Sequence, residues 1–216
     1  MSDYVRPALP DEEFYDSAGV VIQYGSRWRR ESPPEDTYSV VSHPERFASL
    51  HVVANALVGH LAANYAVSVT EDVSFADDLV HGRTDALRAV RVTPVNANEA
   101  PLTFVFTPFP GVIVHAGVLH DFPFPGCGCD ACDESGENAI DELEGTVLAV
   151  VAGRYFEWVD ERGSLPLGYR IAWADGTSSQ GSQAGFTPDT IRQAIERLGA
   201  LPNGWQPWTR KDSDLS

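Results

Sequence analysis

The stretch PGCGCDACDE, residues 125–134, holds every cysteine of the 216-residue chain: Cys127, Cys129 and Cys132. Cys-x-Cys-x-x-Cys on a glycine- and aspartate-rich loop suits one tetrahedral ion, because such short spacings let three thiolates converge while the backbone turns around them. Gly126 and Gly128 ease that turn. Thiolate ligation is soft and favours Zn2+ over Mg2+ or Ca2+. A fourth ligand is needed, and His120 is the first choice. On an extended strand Val118, His120 and Phe122 share one face, which puts the imidazole at the mouth of the loop. His115 lies five residues further back, while Asp130, Asp133 or the more distant His51 and His43 are substitutes. Three cysteines with a histidine form a closed shell, the mark of a structural site; release of Cys127 would open it.

Other chemistries fit these residues less well. Cys129 and Cys132 form a CxxC dithiol, and a following helix N-terminus would lower a thiol pKa. Yet Cys132 precedes that helix by about three residues, and redox motifs of this kind start the helix on a βαβ scaffold. Asp130 and Asp133 would raise a neighbouring thiol pKa, not lower it. Three reduced thiols in a turn are the plain alternative, weakened by their gathering in one polar loop. A zinc deaminase needs H-x-E before its cysteines, but His115-Ala116-Gly117 has glycine where the glutamate must stand. HExxH, a P-loop, GxSxG and GxGxxG are absent from the sequence. His51 and His60 fall on opposite sides of one helix and cannot share a site from it. His81 reads as a loop residue, and Trp205 and Trp208 as packing for the C-terminal tail.

The formal net charge is −16, from 31 acidic and 15 basic side chains. Such a surface repels phosphate backbones and anionic lipid, which excludes nucleic acid and membrane surfaces as partners. Between Asp130 and Glu144 there are seven acids and no base, so a charged partner on this face would be basic; a solvated helix face is the simpler reading. The first thirty residues show no basic start followed by an apolar run, and no apolar stretch approaches the ~20 residues of a membrane span. The expected compartment is therefore the cytoplasm. An odd number of cysteines argues against a disulfide framework there.

The elements that must position the loop follow from periodicity. Residues 1–34 form an arm rich in aromatics, ending at Ser32-Pro33-Pro34, and residues 35–216 form a single domain. Phe47, Leu50, Ala54, Leu57, Leu61 and Tyr65 recur at helical spacing from Pro44 onward, with Ser42 and Glu45 as a capping box or His43 as N-cap. Strands are expected at Val67 to Glu71, Ala89 to Val95, Leu102 to Thr107 and Val112 to Ala116, with Gly117 bending the last before Val118 to Phe122 continues. Ile140, Leu143, Val147, Val151 and Trp158 define a second long helix from Ser135 to before Gly163. A hairpin turns at Asp175-Gly176, and Thr187-Pro188-Asp189 starts a C-terminal helix. This order favours an α+β fold, a largely antiparallel sheet covered by two long helices and a C-terminal helix.

His120-Asp121-Phe122-Pro123 followed by the run from Cys127 to Glu134 resembles the signature of a family of uncharacterised actinobacterial proteins known only as a domain of unknown function. The resemblance implies a shared cysteine loop at Cys127, Cys129 and Cys132 and no activity. The leading expectation is thus an intracellular binding or interaction module with a structural Zn2+ on Cys127, Cys129, Cys132 and His120. One alternative is a metal- or thiol-dependent enzyme using the same loop. Another is an acidic immunity-like protein that sequesters a basic partner.

Overall fold

A computed structural model describes residues 3–29, 31–159, 167–201 and 203–211. Its main layer is a five-stranded antiparallel meander of β1 (Val67–Glu71), β2 (Arg88–Pro94), β3 (Leu102–Phe106), β4 (Val112–Ala116) and β5 (His120–Phe124), in sequence order. Two helices, α1 (Ser49–Asn64) and α2 (Gly136–Val151), cover one face of it. Period-2 alternation decides which side chains point there. Val90, Phe104, Val114 and Phe122 stand in register across four strands and meet Leu50, Leu57, Leu61, Leu143 and Val147 in one continuous core. A second, three-stranded antiparallel sheet, β6 (Tyr155–Val159), β7 (Leu167–Ala172) and β8 (Ser178–Gly181), joins through Tyr155, Ile171 and Tyr169. The C-terminal helix α3 (Pro188–Gly199) is capped by the Thr187 hydroxyl, which accepts from the Thr190 N–H. The fold is α+β, with helices over a largely antiparallel sheet.

Three local expectations are corrected. The second helix does not run on to Trp158: it stops at Val151, Gly153 follows at φ +67°, and Tyr155 to Val159 form a strand. Val151 and Trp158 are seven residues apart, so a strand residue fell into helical step by coincidence; Gly163 lies outside the described residues. The first helix is led by a 3-10 turn over Pro44–Phe47 whose N-cap position is His43, one of the two starts expected; the other, the Ser42–Glu45 capping box, does not form. Ser42 instead donates its hydroxyl to Asp130 at 2.5 Å, and the His43 ring meets Glu45 at 2.8 Å. Finally, Gly117 does not bend a continuing strand. At φ +68° it opens the tight connection that turns β4 back into β5, where Ala116 pairs with His120.

Residues of the N-terminal segment lie against this framework at several places. Arg6 bridges Asp141 and Glu144 of α2, and Tyr4 donates its hydroxyl to Glu144 at 2.9 Å. Arg27 reaches the cysteine loop itself. Among the described residues no helix is long and apolar enough to cross a membrane.

Candidate metal centre

The loop between β5 and α2 brings the three cysteines together. Their sulfur atoms all lie within 4.8 Å of one another, and Cys127 Sγ is 3.3 Å from Cys129 Sγ. A tetrahedral ion with bonds of about 2.3 Å sets its sulfurs about 3.8 Å apart, inside that range. Small rotations of the side chains therefore suffice to close three thiolates on one cation. Cys127 and Cys132 are exposed and Cys129 is partly buried, so the cluster sits at the surface.

The two aspartates interleaved with the cysteines hold the loop's shape. Both are buried. Asp130 accepts from the Ser42 N–H and hydroxyl, while its own N–H donates to Val40 O at 2.7 Å. Asp133, at φ +55°, takes the Arg27 N–H at 2.7 Å and Arg27 Nε at 2.5 Å. Arg27 Nη2 and Trp28 Nε1 both donate to the Asp130 carbonyl. From the other side the buried Arg46 guanidinium donates to the carbonyls of His43, Gly128 and Glu134. The Glu134 carboxylate closes the loop by accepting from the Gly126 and Cys127 N–H groups at 3.2 and 2.9 Å. Acids that read as possible ligands are thus already engaged, turned into the scaffold by arginines and backbone donors.

Electrostatics distinguishes the thiols. The backbone N–H of Cys132, and next the Cys127 thiol, stabilise the Cys129 thiolate and bring its pKa down to about 7. Hydrogen bonds to Cys127 and Cys129 push Cys132 up to about 12. Three sulfurs crowded at this distance accept one negative charge readily and resist further ionisation, since like charges repel. A divalent cation removes that resistance.

The structure does not bring His120 to the thiols, contrary to expectation. β5 runs from His120 beside Ala116 to Phe124 beside Val112, so the strand's length, roughly 13 Å, separates the ring from the loop's start. The imidazole is fully buried, and its Nδ1 lies 3.0 Å from Glu157 Oε1 and 3.2 Å from the Tyr155 hydroxyl. Glu157, its side chain wholly buried as well, also accepts from the Leu119 N–H and from Trp205 Nε1 at 2.9 Å each. His51 meets the Gly111 carbonyl, and His43 meets Glu45 and the Tyr15 carbonyl. Among the described residues, the only group of three or more metal-binding side chains is the cysteine triplet, so no fourth protein ligand completes its shell. Trp205 and Trp208 are buried in the core.

The acidic run from Asp130 to Glu144 is also less open than its sequence. Asp130 and Asp133 face Arg27, Arg46 and Ser42, Glu134 caps the loop, and Asp141 and Glu144 bind Arg6. Glu137 and Glu142 remain exposed, and Asp141 stays largely exposed beside Arg6.

Sequence reasoning missed one further constellation. His115 and Asp121 form a hydrogen-bonded pair at 2.7 Å on the outer face of the sheet, beside Thr103 and Arg91. Their alternation along the strands was a visible signal, but the pairing of β2 to β5 that aligns them was not.

Compared with known proteins, residues 10–212 match the model of a family of unknown function (DUF6226). No curated protein and no solved structure gives a match.

Proposed function

We propose, for a chain that belongs to this family of unknown function, that the cysteine loop binds Zn2+ through Cys127, Cys129 and Cys132 and leaves one vertex of the ion to a donor from outside the described residues. The observation that carries this reading is the convergence of three sulfurs within 4.8 Å on a loop whose other polar groups are already hydrogen-bonded. A three-thiolate ion at the surface, open at its fourth position, is a coupling point: water, a small thiol or a partner's side chain completes it. The protein then acts as a binding or interaction module whose docking contact is the metal. A closed structural site on three cysteines and His120 is not supported, because the Glu157 carboxylate holds that imidazole in the core.

The same geometry supports an enzyme less well. An open vertex is what catalytic zinc needs, but the loop's own carboxylates are engaged: Asp130 and Asp133 are buried against arginines and Glu134 accepts from backbone N–H groups.

Cobalt titration tests the proposal. Co2+ added to the metal-free protein should give thiolate-to-metal charge-transfer absorption that saturates at one equivalent and is displaced by Zn2+. Cys129→Ser should cut that absorption by about a third and weaken binding at least about tenfold. A spectrum without thiolate bands, or one unchanged by removal of Cys129, would contradict the site.

A further inference from the structure

The outer face of the five-stranded sheet carries a polar row that the cysteine loop does not use. Arg91 stands opposite Thr103, Thr103 opposite His115, and His115 opposite Asp121, so four strands contribute one side chain each. Asp78, at the end of a 3-10 turn over Val73–Asp78, reaches this row. It accepts from Arg91 Nε and Nη2 at 3.0 and 2.6 Å and from the Thr103 hydroxyl at 2.9 Å. Asp121 accepts from the Val80 N–H at 2.8 Å and holds His115 Nδ1 at 2.7 Å. α3 closes the far side with Thr190, Gln193 and Arg197, leaving a cavity of about 440 Å³. That volume is within the range of small-molecule sites, about 300–1,000 Å³.

The hydrogen-bonding capacity left over in this cavity is unbalanced. Its Asp78 carboxylate already accepts from Arg91 and Thr103. Its guanidinium groups keep donors in hand: Arg91 uses Nε and Nη2 on Asp78, and Arg197 donates through Nη2 to the Ala97 carbonyl while lying 4.8 Å from the Trp205 ring. No partner among the described residues takes Arg91 Nη1 or Arg197 Nε and Nη1. A carboxylate can only accept, so Asp121 fixes His115 Nδ1 as the donor nitrogen. Nε2 of the same ring has no hydrogen-bond partner among the described residues, and the ring lines the cavity. There its lone pair can accept from a hydroxyl of a bound molecule.

We propose that this cavity binds the oxyanion, carboxylate or phosphate, of a small hydroxylated molecule, with Arg197 as its counter-charge, Arg91 as a further donor, and His115 Nε2, oriented by Asp121, accepting from the molecule's hydroxyl. Asp78 neutralises Arg91, so the positive charge left over in the lining is that of Arg197, while both guanidinium groups keep spare donors for an anion. The inference uses none of the cysteine-loop residues and stands or falls apart from the metal site.

The test is a titration of the whole protein with inorganic phosphate and, separately, with glycolate, following the His115 ring resonances by NMR and using chloride at equal ionic strength as control. Saturable shifts with either probe support the proposal: phosphate alone assigns a phosphate ligand, glycolate alone a carboxylate. Affinity should fall about tenfold or more in Arg197→Gln and in His115→Gln, and should not change in Cys129→Ser. Arg197 is on the partly exposed surface of α3, so Arg197→Gln decides the matter even if His115→Gln fails to fold. Absence of saturation with both probes, or equal affinity in Arg197→Gln, would overturn the assignment.

Discussion

Among single residues, Cys129 is set apart by its neighbours. The Cys132 N–H and Cys127 thiol stabilise its thiolate, while Cys132 itself keeps its proton. In metal-free protein at neutral pH, iodoacetamide should therefore modify Cys129 ahead of Cys132, although Cys132 is the more exposed; peptide mapping of a time course reads the order, and faster labelling at Cys132 would contradict it. Because ligation requires thiolates, zinc affinity should also decline as pH falls through about 7, where Cys129 takes up its proton. Gly117 is a second residue whose identity is dictated locally. A Cβ there would lie 2.1 Å from Glu157 Oε2, and the backbone is left-handed, so Gly117→Ala forces apart the buried hydrogen bonds of Glu157 with Val118, Leu119, His120 and Trp205. A loss of about 2–4 kcal/mol in denaturant unfolding is expected; a change within about 0.5 kcal/mol would show that this network is slack.

The scale of elements decides whether the cysteine loop is pre-formed. It hangs between β5 and α2, and its inner wall is tied down by Arg27 of the N-terminal segment and Arg46 of the 3-10 turn over Pro44–Phe47. Arg27→Ala leaves the buried Asp133 carboxylate without its main partner, which should cost about 2–4 kcal/mol and weaken cobalt binding through the loop's added freedom. Equilibrium unfolding and the cobalt titration check both; unchanged metal affinity would mean that the loop orders itself. Much of this level was legible from the chain alone. Helical spacing of Leu50, Leu57 and Leu61, the core-facing set Leu102, Phe104 and Phe106 of β3, a strand buried on both faces, and the Thr187-Pro188 start of α3 each reflect a local rule that the tertiary structure respects. What was not legible depends on partners distant in sequence. Ser42 looked like a helix cap but serves Asp130, and His120 looked like a metal ligand but pairs with Glu157, 37 residues away. Asp130 and Asp133 read as a solvated acidic run because Arg27, more than a hundred residues earlier, could not be placed beside them. The thiol cluster was readable because all its members lie within six positions.

For the whole molecule, the loop is an attachment to a core that does not need it. Phe47, Leu57, Phe104, Val114, Leu143 and Tyr155 are all fully buried with no contribution from the cysteines. Metal removal should therefore lower the melting temperature without abolishing cooperative unfolding, unlike a zinc finger whose fold is its metal site. A ligand present at a hundredfold excess over its Kd adds about 2.7 kcal/mol and at a thousandfold about 4.1 kcal/mol, which sets the scale of the shift expected on chelation. Circular dichroism during chelation reads this directly; collapse of the sheet signal at ambient temperature would mean that the ion organises far more than its loop.

The most direct measurement is the metal content of protein purified without a metal-affinity tag, taken together with a count of reactive thiols. Close to one equivalent of zinc is expected, with the thiols protected until a chelator is added. Less than about half an equivalent, together with three freely reactive thiols, would contradict it.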